Sequence, residues 1–451
     1  GARDVWDTYD YKGKGIRVAV LDTGVANGTA EWAPEDGTKG RNVKTRVVAF
    51  KDLVNGKGSP YDDNGHGTHV AGIVMGSGIK SAHQYRGVAP KADLVAVKVL
   101  DAQGSGSVST VINGIEWCLQ NRGAYGIRVL NLSLGHQPGE SVATDPLCLA
   151  VRRAVRAGLV VVVAAGNQGK DSTGRIAYGG ISSPGNEPSA LTVGALNTFE
   201  TASRADDAVT TYSSRGPTFI DGLAKPDLVA PGNKIIAVRA ENSLLDLAYP
   251  ENRVAYDGPG SLKAEYFTLS GTSMAAPQVA GTVALLLEAQ PRLTPNLVKG
   301  ILMYTAQKLT LTDAAGAPLS AGLSVLTQGA GSLNALGAVE VATKLDLTQP
   351  LGGLWLTTPL SGTSTIGGES FPWSGEVLYG EQVFSGAGLL GTNQVVWSDQ
   401  VLWSDQVVWS DQCLWAENGV MADQVIWADQ VIWADQVVWS DRNRIASIFG
   451  D

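Results

Sequence analysis

Five short aliphatic runs, separated by stretches of helical spacing, constrain this chain more than any other feature. They are "GIRVAVLD" (15–22), "ADLVAVKVL" (92–100), "IRVLNLSL" (127–134), "LVVVVAAG" (159–166) and "ALTVGAL" (190–196). Runs this continuously apolar suit strands buried on both faces, as in a parallel sheet covered by helices. Between them, "VSTVINGIEWCLQNRG" (108–123) and "PLCLAVRRAVRAG" (146–158) have helical spacing and end at Gly. The alternation predicts an α/β domain with helices on both faces of a parallel sheet. Functional sites of such sheets lie at the carboxyl ends of the strands. Further on, "SMAAPQVAGTVALLLEAQP" (273–291) reads as a long apolar helix stopped by Pro291. "TPNLVKGILMYTA" (294–306) reads as another, with Thr294 as N-cap and Pro295 in its first turn.

At 451 residues the chain is longer than one typical domain. Its charge is unevenly spread. Against a net charge of −9, residues 345–451 carry −11, which leaves 1–344 at +2. Neither part offers the basic footprint of a nucleic-acid binder, and an acidic tail repels phosphate and anionic lipid. No apolar run reaches the roughly 18 residues of a membrane span. Three cysteines, Cys118, Cys148 and Cys413, make no disulfide framework; Cys118 and Cys148 read as buried free thiols, with a bridge between them as the alternative.

Three stretches carry chemistry. In "VAVLDTGV", Asp22 ends a strand. D-T-G also marks aspartic proteases, but two carboxylates must share a proton there, and this chain has a single such motif. In "DDNGHGTHVAG", His66 lies between glycines that leave its imidazole edge unobstructed, while His69 reads as a core residue. A metal site at His66 and His69 lacks the H-E-x-x-H pattern and a third ligand, so the metal assignment is none. Asp62 and Asp63 read as solvated loop carboxylates, with attraction of a cation or a basic substrate residue as the alternative. In "LSGTSMAAPQVAG", Ser273 opens the long helix. It is either a plain cap or a hydroxyl beside backbone N–H groups that can stabilise developing charge. Together Asp22, His66 and Ser273 supply a nucleophile, its base and a carboxylate to orient that base.

With these motifs in the order Asp, His, Ser, the chain resembles the subtilisin-like serine proteases over roughly residues 1–343. The resemblance implies an endopeptidase with a covalent acyl-enzyme intermediate. It implies that Asn167, in "VVVAAGNQG", completes the oxyanion hole. It also implies that "GSGS" (Gly104, Ser105, Gly106 and Ser107) and the Ser133, Leu134 and Gly135 of "LSLG" flank an extended peptide substrate. Ala164, Ala165 and Gly166 would line one side of the primary pocket. No charge occurs in these stretches, so a broad, apolar-leaning specificity is expected. "YSSRGPT" (212–218) and "KPDLVAPG" (225–232) are similar to segments that shape the core beneath Ser273, and "QGAGSLNALGAV" (328–339) to the segment that closes the domain. The family further implies protein or peptide substrates, an inhibitory N-terminal propeptide and a secreted or cell-surface location. The chemistry requires no cofactor. The 73–87 segment lacks the Asn-rich loop of many members, and no structural calcium site is assignable. Gln278 stands where many members have His, more than a turn past the nucleophile.

Residues 344–392 shift to Gly, Ser, Thr and Pro, as in a linker or a small β element. From 393 to 441 a hexad of the type V-V-W-S-D-Q repeats, followed by a short tail, 442–451. Trp397, Trp403, Trp409, Trp415, Trp427, Trp433 and Trp439 recur every six residues, with Met421 in the missing place; Asp399, Asp405 and Asp411 begin a matching acidic series. Period six fixes no helical face but repeats one strand face. Extended, eight hexads would span roughly 160 Å. A β-type repeat, a solenoid or meander folding back at Ser-Asp-Gln and stacking Trp on Trp, is therefore expected. Polysaccharide or cell-surface binding by this repeat is one further reading. In that competing class the chain is a binding or structural protein and its protease domain is silent.

Overall fold

In a computed structural model of the chain, the described residues are 1–34, 45–256, 263–313, 315–350, 352–386 and 388–393. The aliphatic runs form the strands their composition demands. β1 is Arg17–Asp22, β2 Val47–Asp52, β3 Asp93–Lys98, β4 Ile127–Leu132, β5 Val160–Ala164, β6 Leu191–Asn197, β7 Ala208–Val209 and β8 Leu228–Pro231. They assemble in the order β2-β3-β1-β4-β5-β6-β8, all parallel, while β7 pairs antiparallel with the end of β6. β1 lies inside the sheet, between β3 and β4. The chain thus leaves β1 toward one edge and returns on its other side, which makes the carboxyl end of β1 a topological switch point.

Helices cover both faces. α1 is Ala2–Tyr9, α2 His66–Met75, α3 Val108–Tyr125, α4 Pro146–Arg156, α5 Leu244–Ala248, α6 Thr272–Ala289, α7 Pro295–Tyr304, α8 Ala321–Gln328 and α9 Ala335–Lys344. Alternate residues of β1 divide between two cores. Val18 and Val20 pack with α2, α6, α7 and α9, and Ala19 and Leu21 pack with α3 and α4. Thr294 caps α7 as its sequence predicts, accepting from the Leu297 N–H at 3.1 Å, with Pro295 in the first turn. α6 is buried along most of its length despite Pro277 within it. Cys118 on α3 and Cys148 on α4 are free and buried, and burial pushes the Cys118 thiol up to about 12.

A small antiparallel sheet of β9 (Ile235–Val238), β10 (Arg253–Val254) and β11 (Tyr266–Leu269) leads into α6. Past α9 the chain forms two hairpins. One joins β12 (Thr363–Ile366) to β13 (Glu369–Pro372), and the other joins β14 (Glu376–Tyr379) to β15 (Gln382–Ser385). Both are pinned to the α/β body. Trp355, Trp373, Leu378, Leu389 and Leu390 are buried in the same core as α7 and α9. The Trp373 indole donates to Ser364 Oγ, which also accepts from Asn334 at the N-cap of α9. The expected stacked-Trp hexads, from Gln394 onward, lie outside the described residues. No helix of the described residues is long and apolar enough to cross a membrane.

Candidate active site

Asp22 ends β1 at the switch point, almost wholly buried. Its Oδ1 accepts from the Thr23 N–H at 2.7 Å and meets His66 Nδ1 at 2.7 Å. A carboxylate facing Nδ1 holds the neutral ring's proton on that nitrogen and leaves Nε2 as the acceptor. Oδ2 of Asp22 is buried with no hydrogen-bond partner among the described residues. The protonated imidazole is thus the natural counter-charge for this carboxylate. Burial disfavours charging His66, but the Asp22 carboxylate outweighs it by charge and hydrogen bond. The pKa therefore lies above the ordinary imidazole value.

His66 is the first residue of α2, and the backbone on both sides of it requires glycine. Gly65 has φ +106°, a left-handed turn that ordinary side chains avoid. A Cβ at Gly67 would sit 2.3 Å from the Gly24 carbonyl oxygen and 3.1 Å from Asp22 Cβ. Glycine here lets the start of the helix approach the carboxylate strand. His69, one turn on, is buried, and its Nε2 faces the carbonyls of Ile235 (3.0 Å) and Phe267 (2.9 Å). Burial lowers its pKa to about 3, so it is neutral. The two histidines engage different partners and do not converge.

Ser273 is the second residue of α6, where the helix geometry gives its N–H no intrahelical acceptor. Its hydroxyl donates to the Ser133 carbonyl at 3.2 Å, and the Ser133 hydroxyl donates back to the Ser273 carbonyl at 2.8 Å. The second bond has a cause in the sequence. Pro277 has no N–H, so the carbonyl four residues earlier, that of Ser273, has no helical donor. Ser133 supplies the missing donor, itself held by Asn131 Nδ2 at 2.9 Å.

Asn167 follows β5 at a turn where Gly166 takes φ +103°. Its Oδ1 accepts both the N–H and the hydroxyl of Thr272, each at 3.0 Å. Two donors on one atom identify it as the oxygen, so Nδ2 is the end left to project beside the turn that opens α6. Backbone and side chain thus bring Asn167 next to Ser273, at the mouth of α6. A cleft of about 500 Å³ opens beside His66. Gly104, Ser105, Gly106, Ser133, Leu134 and Gly135 all line it. Leu100, Val108, Val111, Leu147 and Leu245 add apolar surface beside the polar Thr23, Asn64, Gln103 and His136, and the lining contains no Asp, Glu, Lys or Arg. Ala164 and Ala165 are buried at the end of β5, Gly166 is half-buried, and none of the three lines this cleft.

The acidic pair before His66 departs from the expectation of solvated carboxylates. Asp62 is buried and accepts five hydrogen bonds. Asp63 pairs at 2.7 Å with Lys98, whose side chain is fully buried. Lys98 Nζ also donates to the carbonyls of Thr23 (2.6 Å) and Leu100 (2.8 Å), which uses all three of its protons. An aliphatic strand context ("VAVKVL") gave no signal for this role. Proximity in the fold, with Lys98 beside Asp22 in the β1–β3 register, creates it.

Known proteins are similar to this chain in sequence. Serine protease AprX of Bacillus subtilis (strain 168) is 45% identical over 304 residues, covering 66% of this chain and 62% of that protein, less than two thirds of its length. Subtilisin DY of Bacillus licheniformis is 34% identical over 300 residues, covering 66% of this chain and 86% of that protein. A crystal structure of a cold-adapted subtilisin-like serine proteinase shares 32% identity over 68% of this chain and 88% of its own, with a TM-score of 0.48. The model of the subtilase family matches residues 13–331, well over half of the sequence, and the chain belongs to that family.

Proposed function

We propose that this chain is a serine endopeptidase working through Asp22, His66 and Ser273. The observation that carries the reading is the 2.7 Å contact of His66 Nδ1 with a buried carboxylate that has no other side-chain donor among the described residues. When substrate binds, the Ser273 hydroxyl turns from the Ser133 carbonyl toward His66 Nε2, which takes its proton as Oγ bonds to the scissile carbonyl carbon. Asp22 stabilises the imidazolium so formed. In this reading the oxyanion is met by Asn167 Nδ2 and the N–H of Ser273, which act as hydrogen-bond donors to the developing charge. The imidazolium returns its proton to the leaving amine, and water then releases the acyl group by the same steps in reverse.

The absence of Asp, Glu, Lys and Arg from the cleft, with leucines and valines in part of its lining, supports broad, apolar-leaning substrates bound as an added strand between 104–106 and 133–135. The reading carries with it secretion or cell-surface display and maturation from an inhibitory propeptide. A cell-fractionation assay on the full-length gene product addresses both. The test of the chemistry is peptide hydrolysis. Ser273→Ala abolishes turnover, and Asn167→Ala lowers kcat by roughly 10²–10³-fold with little change in KM, the magnitude usual for an oxyanion-hole donor. Full activity in either variant removes that residue from the mechanism.

A further inference from the structure

We propose that Asp62, acting through the hydroxyl of Thr23, is a positioning residue that sets the Asp22–His66 contact; this rests on the triad reading above. Asp62 Oδ1 accepts from the Thr23 hydroxyl (2.8 Å) and from the backbone N–H groups of Gly65 (2.8 Å) and Asn64 (3.2 Å). Its Oδ2 accepts from the N–H (2.8 Å) and hydroxyl (2.6 Å) of Thr68. Had Asp62 only capped α2, its partners would all lie on that helix and its entry turn. The bond to Thr23 goes instead to the loop after β1.

The direction of that bond is forced. An ionised carboxylate is an acceptor only, so the single proton of the Thr23 hydroxyl is committed to Asp62. The hydroxyl's lone pair is then free to accept, and it takes the Gly67 N–H at 2.8 Å. Thr23 is the residue after Asp22, and Gly67 is the residue after His66. One hydroxyl therefore ties together the immediate neighbours of both groups, with Asp62 fixing its orientation. The Thr23 carbonyl is gripped as well, by Lys98, which Asp63 neutralises. Two adjacent carboxylates thus stitch the 22–23 loop to the start of α2. Thr23 itself is fully buried. Charge-assisted bonds of this kind are strong in a site screened from water. Loosening the tie lets the helix start drift from the carboxylate, and misplacement of reacting groups by about 1 Å costs as much as 10²-fold in rate.

The test replaces the bridging hydroxyl. Thr23→Val keeps the volume and removes the hydrogen bonds, whereas Thr23→Ser keeps the hydroxyl. Active enzyme is first counted by titration with a fluorophosphonate, and peptide hydrolysis is then measured per titrated site. Thr23→Val is expected to lower kcat by about 10- to 100-fold with KM within about twofold, and Thr23→Ser to recover most of the rate. If Thr23→Val does not fold, Thr23→Ala set against Thr23→Ser reads the same contrast. The proposal is overturned by a Val or Ala variant whose kcat per site matches wild type. It is equally overturned by a loss confined to KM, or by a Ser variant as impaired as Val. A wild-type protein that neither reacts with the titrant nor cleaves peptides would instead overturn the protease reading, so the two failures are distinct.

Discussion

Pro277 and Ser133 should be energetically coupled although they lie on different elements, and the structure gives the size of the effect. The carbonyl of Ser273 lacks its helical donor because Pro277 has no N–H, and the Ser133 hydroxyl stands in at 2.8 Å. Ser133→Ala leaves that carbonyl unpaired, which costs roughly 1–3 kcal/mol, and also takes an acceptor from Asn131 Nδ2. Pro277→Ala restores an N–H aimed at the same carbonyl. In that background the carbonyl stays paired when Ser133 is truncated, and only the Asn131 cost remains. The double-mutant cycle should thus return a coupling of about 1–2 kcal/mol, with Ser133→Ala cheaper in the Pro277→Ala background than in the wild-type helix. Denaturant unfolding followed by Trp fluorescence measures it, with every variant carrying Ser273→Ala to prevent self-cleavage. That change spares the backbone carbonyl under test. A coupling below roughly 0.5 kcal/mol would refute the argument, because independent sites add within that margin.

Three further outcomes follow from the same contacts. Because Asp22 raises the His66 pKa, the acid limb of kcat/KM should fall above the ordinary imidazole value of about 6.5, and Asp22→Asn should move it down; a wild-type limb below that value contradicts the assignment. His69 is neutral with a folded pKa of about 3 against roughly 6.5 unfolded, so only the unfolded chain takes up this proton between those values. Its contribution is intact above about pH 6.5 and drains by roughly 1.4 kcal/mol per unit on acidification, a slope that His69→Gln should flatten in unfolding measurements across pH 4–7. Finally, Trp373→Ala should cost about 3–5 kcal/mol, since the indole is buried against the α/β body and bonded to Ser364; an unchanged Tm would mean that the hairpins do not share its core.

Much of the sheet was legible because strands buried on both faces announce themselves as aliphatic runs. β2 was missed for the complementary reason. At the sheet's edge, "VVAFKD" is largely half-exposed and carries charge, so its pattern is weak. The hairpins at 363–385 hid behind a Gly- and Ser-rich composition that also describes linkers, and only their buried anchors, such as Trp373, set them apart. Asp22, His66 and Ser273 stand out as candidates because each occupies a strand end or helix start within a long motif, whereas Asn167 is singled out only by the family resemblance. Their supports were not. Asp62 reads as a loop carboxylate until the fold brings Thr23 and Thr68 around it, and Lys98 reads as a stray charge in a strand until its three acceptors converge. Hydrogen-bond networks between segments far apart in sequence leave no periodicity to read.

The central claim is that Ser273 is an activated nucleophile, and covalent labelling tests it most directly. Intact wild-type protein treated with a fluorophosphonate should gain a single adduct, mapped by peptide mass spectrometry to Ser273, at a rate that collapses in His66→Ala. A folded protein that stays unmodified, or one that carries the adduct on another residue, would contradict the account.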